Sequence, residues 1–146
     1  MISISSPERV KGGKNQLKAS PVHISTFSDD RSHLRTSVDF YTTILGFVNE
    51  GIDGPFTVIR VNRDFQILLA AWGTPGSEHY AFAVSKREFR NIFQRIKSAG
   101  IGYGGAPDSV GSNTDPGEET GAHGLAPTLY FNDPNKHLLE IRFYTE

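Results

Sequence analysis

The stretch Leu129-Tyr130-Phe131-Asn132-Asp133-Pro134-Asn135-Lys136-His137-Leu138-Leu139-Glu140-Ile141 decides how this chain is read. Two apolar runs flank the turn Asn132-Asp133-Pro134-Asn135, which predicts strands over 127–131 and 137–144. The second run continues as Arg142-Phe143, and Glu140 interrupts it. An ionised carboxylate inside an apolar strand costs on the order of several kcal/mol unless a partner neutralises it. Residues two apart on a strand share a face, so Leu138, Glu140, Arg142 and Tyr144 point the same way. Arg142 on that face, or Lys136 before it, is one possible partner for Glu140.

Working outward, two histidines open apolar runs of their own. His23 stands in Val22-His23-Ile24-Ser25-Thr26-Phe27, and His79 heads His79-Tyr80-Ala81-Phe82-Ala83-Val84. Two imidazoles and a metal ion are the second possible partner for Glu140. Two histidines and one carboxylate, with positions left open, form a ligand set for a catalytic divalent metal. His79, Ala81 and Ala83 share one strand face, while Tyr80, Phe82 and Val84 share the other. The small alanines leave room beside His79, as a cavity requires.

The chain also reads as one pattern written twice. After the His23 strand (21–27), Asp29, Asp30 and Ser32 offer N-cap oxygens, and Leu34, Val38, Tyr41 and Leu45 recur at helical spacing up to Gly46. Strands follow around 47–50, 56–61 and 65–71, the last two joined through Asn62-Arg63. After the His79 strand (79–84), Ser85-Lys86-Arg87-Glu88 has capping-box spacing. Phe89, Ile92, Phe93 and Ile96 then line one helical face up to Gly100. A strand at 101–103 gives way to a long polar stretch, 104–124, read as a lid-like loop or as disorder. Ile67-Leu68-Leu69 corresponds to Leu138-Leu139-Glu140 within about a residue. Module 1 spans about 21–74 and module 2 about 77–144, behind a polar extension over 1–20. Such units bury a sheet face only by packing together, so a site is expected where the sheets curl toward each other.

Composition narrows the function classes. The 146 residues suit one domain or two small modules. A net charge of −1 supplies no basic field for nucleic acid or an anionic membrane surface. No apolar run approaches the roughly 20 residues of a membrane span. No apolar secretory stretch opens the chain, so a cytoplasmic location is expected. Zero cysteines exclude disulfides, thiolate ligands and cysteine nucleophiles, leaving N and O ligands suited to Fe, Mn, Co, Ni or Zn.

The segments around His23, Ser37-Val38-Asp39-Phe40-Tyr41-Thr42-Thr43-Ile44-Leu45-Gly46-Phe47, Glu78-His79-Tyr80-Ala81-Phe82, and 129–141 together resemble the vicinal oxygen chelate superfamily. That superfamily includes glyoxalase I, bleomycin-resistance proteins, fosfomycin-resistance enzymes, methylmalonyl-CoA epimerase and extradiol dioxygenases. The resemblance covers about residues 21–144. It implies an α+β fold, two βαβββ modules forming a cup-shaped, partly open mixed β-barrel with flanking helices. Carried over position by position, it makes His23, His79 and Glu140 metal ligands. The fourth ligand position of glyoxalase I falls at Leu68, or at Leu69, with Gln66 nearby. A leucine there disfavours glyoxalase and epimerase activity and favours a dioxygenase-like site, for which Fe(II) is the preferred divalent metal. Ring-cleaving relatives use a histidine and a tyrosine as well. Tyr130, ten residues before Glu140, is the candidate tyrosine, and His123 in Gly121-Ala122-His123-Gly124 the candidate acid–base.

Arg142 and Trp72 are candidate substrate contacts. The resemblance also implies a small-molecule substrate with vicinal oxygens and a homodimer. Plainer roles stand beside these. Tyr130 reads as a core residue before a catalyst, Trp72 as a plug, His137 as a capping or packing residue and His33 as a surface residue. Phe40 and Tyr41 are helix core. The alternative function is metal-free binding of a drug or metabolite, as in bleomycin-resistance proteins. A further alternative is a glyoxalase- or fosfomycin-type lyase or transferase, although no phosphonate- or potassium-binding segments are found.

Overall fold

The computed structural model describes residues 2–3, 20–25, 31–71 and 77–145, with side chains described over 33–71 and 77–145. In chain order the elements are β1 (Ile2–Ser3), β2 (Ser20–Ser25), α1 (Arg31–Asp39), β3 (Val48–Asp53), β4 (Phe56–Asn62), β5 (Phe65–Ala70), β6 (His79–Ala83), α2 (Lys86–Ser98), β7 (Tyr103–Gly104), β8 (Gly117–Gly121), β9 (Gly124–Asn132) and β10 (Leu138–Arg142). A π-helical turn, Phe40–Ile44, extends α1, and a single 3-10 turn spans Pro107–Ser109. The fold is α+β. The chain divides into two compact units, Ser5–Pro75 and Gly76–Glu146, the latter taking in Met1–Ile4.

The first unit holds a four-stranded sheet in the order β2-β5-β4-β3. β2 runs parallel to β5, and the other pairs are antiparallel. The parallel pair needs a crossover, which α1 supplies. Ile59, Val61, Ile67 and Leu69 share one sheet face and are buried. On the helix, Phe40, Tyr41, Ile44 and Leu45 are buried, and Tyr41 stacks on Phe47 at 6.5 Å. The spacing predicted a regular helix to Gly46, but its last turn is widened. The Leu45 N–H reaches back to the Phe40 carbonyl at 3.4 Å, and the Thr42 hydroxyl donates to the Val38 carbonyl at 2.8 Å. A threonine hydroxyl competing for a helical carbonyl is a physical reason for such widening. Gly46 then takes φ 76°, and the Phe47 N–H closes the end onto the Tyr41 carbonyl. The cap residues expected at Asp29 and Asp30 lie outside the described residues, as does the side chain of Ser32.

The second unit repeats that order: β6 lies parallel to β10, then antiparallel β9, then antiparallel β8. β7 pairs with another part of β9, and β1 adds two residues parallel to β6. α2 is capped by Ser85, whose hydroxyl accepts from the Glu88 N–H at 3.1 Å. Phe89, Ile92 and Ile96 bury one face of α2, and Phe89 meets Phe143 edge-on at 5.0 Å. Phe82, Leu129, Phe131, Leu139 and Ile141 have no measurable exposure and form the sheet side of this core.

Two regions differ from the sequence expectation. The polar stretch 104–124 is not a featureless loop, because it contains the 3-10 turn and all of β8. β8 reads Gly-Glu-Glu-Thr-Gly and carries no apolar alternation, so only its backbone pairing with β9 makes it a strand. Within the extension 1–20, Ile2–Ser3 pairs with β6 and Ser20 opens β2, while 4–19 lie outside the described residues. Among the described residues no helix is long and apolar enough to cross a membrane.

Candidate functional site

The registers of the two units can be laid over each other. In the second, His79 pairs with Leu138, and Glu140 stands two residues further along, opposite Tyr130. In the first, His23 pairs with Leu68, and the residue two further along is Ala70, opposite Phe56. The position equivalent to Glu140 is therefore Ala70, where the sequence correspondence placed Leu68 or Leu69. Leu68 and Ala70 share a face, so the residue changes and the conclusion does not: neither side chain carries a donor atom.

One face of the second unit's sheet collects buried polar side chains. Glu140 is 3% exposed and Arg142 4% exposed, so neither charge is solvated. They answer each other directly. Arg142 Nε donates to Glu140 Oε1 at 2.6 Å, and Arg142 Nη2 donates to the same oxygen. The other oxygen, Oε2, lies 3.0 Å from Nε2 of His79, a half-exposed ring. The two alternatives for Glu140 thus divide its two oxygens between them, with arginine on one and histidine on the other.

Two contacts tie the strand ends that carry this pair. The Leu138 N–H donates to the Glu78 carbonyl at 2.9 Å, and the Glu78 N–H donates to His137 Nδ1 at 3.0 Å. His137 is buried and meets Tyr80 edge-on, so it has the capping and packing role expected of it. Its own backbone N–H donates to Asp133 Oδ1 at 2.8 Å, which also accepts from the Asn135 N–H at 2.9 Å. Asp133 so organises the turn from which β10 starts. Lys136 takes φ 64° in that turn and is exposed, pointing no charge at Glu140 among the described contacts.

Tyr130 is buried directly across from Glu140, with its ring 6.2 Å from that of His79. Burial, then the charges of Glu140 and Glu119, push its hydroxyl up to about 12, against the opposing pull of Arg142. It is therefore a neutral proton donor at ordinary pH, not a phenolate. For Arg142, burial acts to lower the pKa, but hydrogen bonding to Tyr144 and Glu140 outweighs it and holds the guanidinium above its usual value. The Tyr144 hydroxyl lies beside the guanidinium, yet Nη1 finds no acceptor of hydrogen-bonding geometry.

The sequence reading took Gly121 only as a flank of His123. A Cβ built there would overlap Arg142 Nη1 and the Tyr144 hydroxyl, and would stand 2.9 Å from Arg142 Cζ. The guanidinium thus lies against bare backbone of β8. A glycine in a strand is a signal of such close approach, but it was visible only once 117–121 was known to be a strand. Glu119, paired with Ala126, faces Tyr130 from the same strand and was likewise missed.

His79, Glu140, Tyr130 and Arg142 come together in one cluster. His123 is exposed in the β8–β9 turn, and the ring it meets is Tyr144, at 5.3 Å. The His23 side chain and Trp72 lie outside the described residues. Among the described residues no group of three histidine, aspartate or glutamate side chains is placed to hold a metal. Two donors of a type that divalent metals accept, His79 Nε2 and Glu140 Oε2, do stand together, 3.0 Å apart and in direct hydrogen-bonding contact.

No protein-family model matches the sequence, and no curated protein matches it significantly. Solved structures do match. Oxidase ChaP-H2 is 24% identical with a TM-score of 0.68, covering 90% of this chain and 96% of its own. Oxidase ChaP-H1 is 26% identical with a TM-score of 0.66, covering 88% and 97%. A glyoxalase/bleomycin resistance protein/dioxygenase from Alicyclobacillus acidocaldarius is 19% identical with a TM-score of 0.59, covering 92% and 96%. With its two βαβββ units, their matching registers and these structural neighbours, the chain carries the fold of the vicinal oxygen chelate superfamily.

Proposed function

We propose that the chain is a metal-dependent enzyme of the vicinal oxygen chelate type, with a dioxygenase- or oxidase-like site acting on a small substrate with adjacent oxygens. His23, His79 and Glu140 are its ligands. The observation that carries the reading is the 3.0 Å separation of His79 Nε2 from Glu140 Oε2, with the small Ala81 paired beside Glu140. The apolar Ala70 at the fourth position supports a three-ligand set over a glyoxalase-like one. Two matched structures are named as oxidases, which agrees in reaction class. A bound divalent ion, Fe(II) by preference, would supply Lewis-acid activation of chelating oxygens and access to O2 chemistry. The chain's own groups then have defined tasks. Tyr130 offers a neutral hydroxyl beside the pair, Arg142 balances the Glu140 charge, and His123 and Trp72 are assigned to acid–base chemistry and substrate contact.

One observation favours a second reading, a metal-free protein that binds a drug or metabolite. Arg142 already neutralises Glu140, so burial of that carboxylate does not demand a metal. Elemental analysis of untagged protein separates the two. Stoichiometric metal that is lost in His79→Ala supports the enzyme; no metal under any reconstitution, with folding intact, sinks it. The reaction class is tested by anaerobic Fe(II) reconstitution, then oxygen uptake with a panel of catechols and related diols.

A further inference from the structure

Arg142 has a more specific place in this cluster than charge balance requires. Its Nε and Nη2 converge on a single oxygen of Glu140, Oε1, and leave Oε2 to His79. A guanidinium more often spreads its two N–H groups over both oxygens of a carboxylate. Here the third nitrogen, Nη1, is buried without an acceptor, so the orientation is not the one that satisfies the most donors. The backbone of β8 permits this orientation. Gly121 on β8 leaves the guanidinium room to lie against the strand, and any side chain at 121 would enter the space of Nη1 and the Tyr144 hydroxyl.

We infer that Arg142, seated on Gly121, is a positioning residue that clamps Oε1 of Glu140 and presents Oε2 alone as a one-oxygen ligand beside His79. This rests on the proposal that His79 and Glu140 belong to a metal centre. With Oε1 held, Glu140 cannot close onto an ion through both oxygens, and the coordination position it would have occupied stays open to substrate. The pair Glu140–Arg142 is also electrically neutral, unlike a lone carboxylate ligand. The centre therefore keeps the full charge of its divalent ion and favours anionic chelating substrates over neutral ones.

The test is Co(II) binding to the full-length protein under anaerobic conditions, followed by titration and by the visible spectrum of the bound ion. Wild type, Glu140→Gln, Arg142→Gln, Arg142→Lys and Gly121→Ala are compared, with circular dichroism as the check on folding. Arg142→Gln is expected to weaken Co(II) binding by about ten-fold or more, the usual size of losing a residue that orients a ligand. It is also expected to change the spectrum as Oε1 is released. Arg142→Lys keeps the charge without the two-pronged clamp and should not restore the wild-type spectrum. Gly121→Ala, which keeps every polar group, should move the spectrum in the same direction. Folded Arg142→Gln and Gly121→Ala proteins with wild-type affinity and spectrum would overturn the positioning role while leaving the metal site standing. If Arg142→Gln does not fold, Arg142→Lys and Gly121→Ala decide the matter. No binding by wild type, or unchanged binding in Glu140→Gln, overturns the metal reading itself and the clamp with it.

Discussion

Tyr130 and Glu140, ten residues apart in the chain, stand directly across from each other on β9 and β10. The hairpin between them turns a sequence interval into a contact, and the contact has a signature in pH. Tyr130 ionises at about 12 in the folded protein against an ordinary 10.0. The folded state holds this proton more tightly than the unfolded chain does. Its contribution to stability is therefore complete below pH 10 and is lost as pH rises through 12. Urea melts across that window should show stability falling with pH, and Tyr130→Phe should flatten the fall. An equally steep slope in the variant would show that the tyrosine is not held neutral by its surroundings.

Removing Arg142 strands a buried carboxylate. Arg142→Met in metal-free protein is expected to cost about 3–5 kcal/mol in chemical denaturation, the range for breaking a buried pair from one side. Combining it with Glu140→Leu should recover most of that loss, because both desolvation penalties then disappear together. Strict additivity of the two substitutions would show that the charges are not coupled.

Gly121→Ala is expected to destabilise by about 1–3 kcal/mol, as overpacking does in a filled site. The cost should shrink in the Arg142→Met background, since the atoms it strikes are those of the guanidinium. An undiminished cost there would put its origin in the β8 backbone.

Asp133 is a structural test away from the chemistry. Its Oδ1 accepts two backbone N–H groups, from Asn135 and His137, within a buried turn. Asp133→Ala leaves both donors without that acceptor and should cost about 1–3 kcal/mol. Lys136→Gly in the same turn, at φ 64°, should be neutral or mildly stabilising. Thermal melts of the two variants check both signs.

His79 is half-exposed, but its Nε2 is the partner of the buried Glu140 Oε2, so its removal should cost about 1–3 kcal/mol in the metal-free protein. Added divalent metal, by contrast, should raise the melting temperature of wild type and not of His79→Ala, because a ligand bound only by the folded state stabilises it by mass action. A metal-induced rise of equal size in both proteins would place the ion elsewhere.

Much of this molecule was legible before folding. The apolar spacing of Phe89, Ile92 and Ile96, the cap at Ser85 and the turn at Asp133-Pro134 are local signals, and local interactions realise them. The face shared by Glu140 and Arg142 followed from strand parity alone. β8 was not legible, because Gly117 to Gly121 carry no apolar alternation and take their form from β9. The exact counterpart of Glu140 was also hidden: a run such as Ile67-Leu68-Leu69-Ala70 fixes its own alternation but not its offset against β2. The widened turn after α1 comes with hydroxyl–carbonyl contacts, Thr42 to Val38 and Thr43 to Asp39, that helical periodicity cannot encode.

The paired contacts from Glu78 to Leu138 and to His137 have a further consequence. His79 and Glu140 are distant in the chain, and bringing them within reach of a common ion would ordinarily lower its affinity through the freedom lost on capture. The Glu78 contacts make that ordering part of folding itself. Two of the three proposed ligands are then ordered by folding alone. On the proposed metal reading, the entropy of ordering these two donors is met by folding and does not subtract from affinity for an ion.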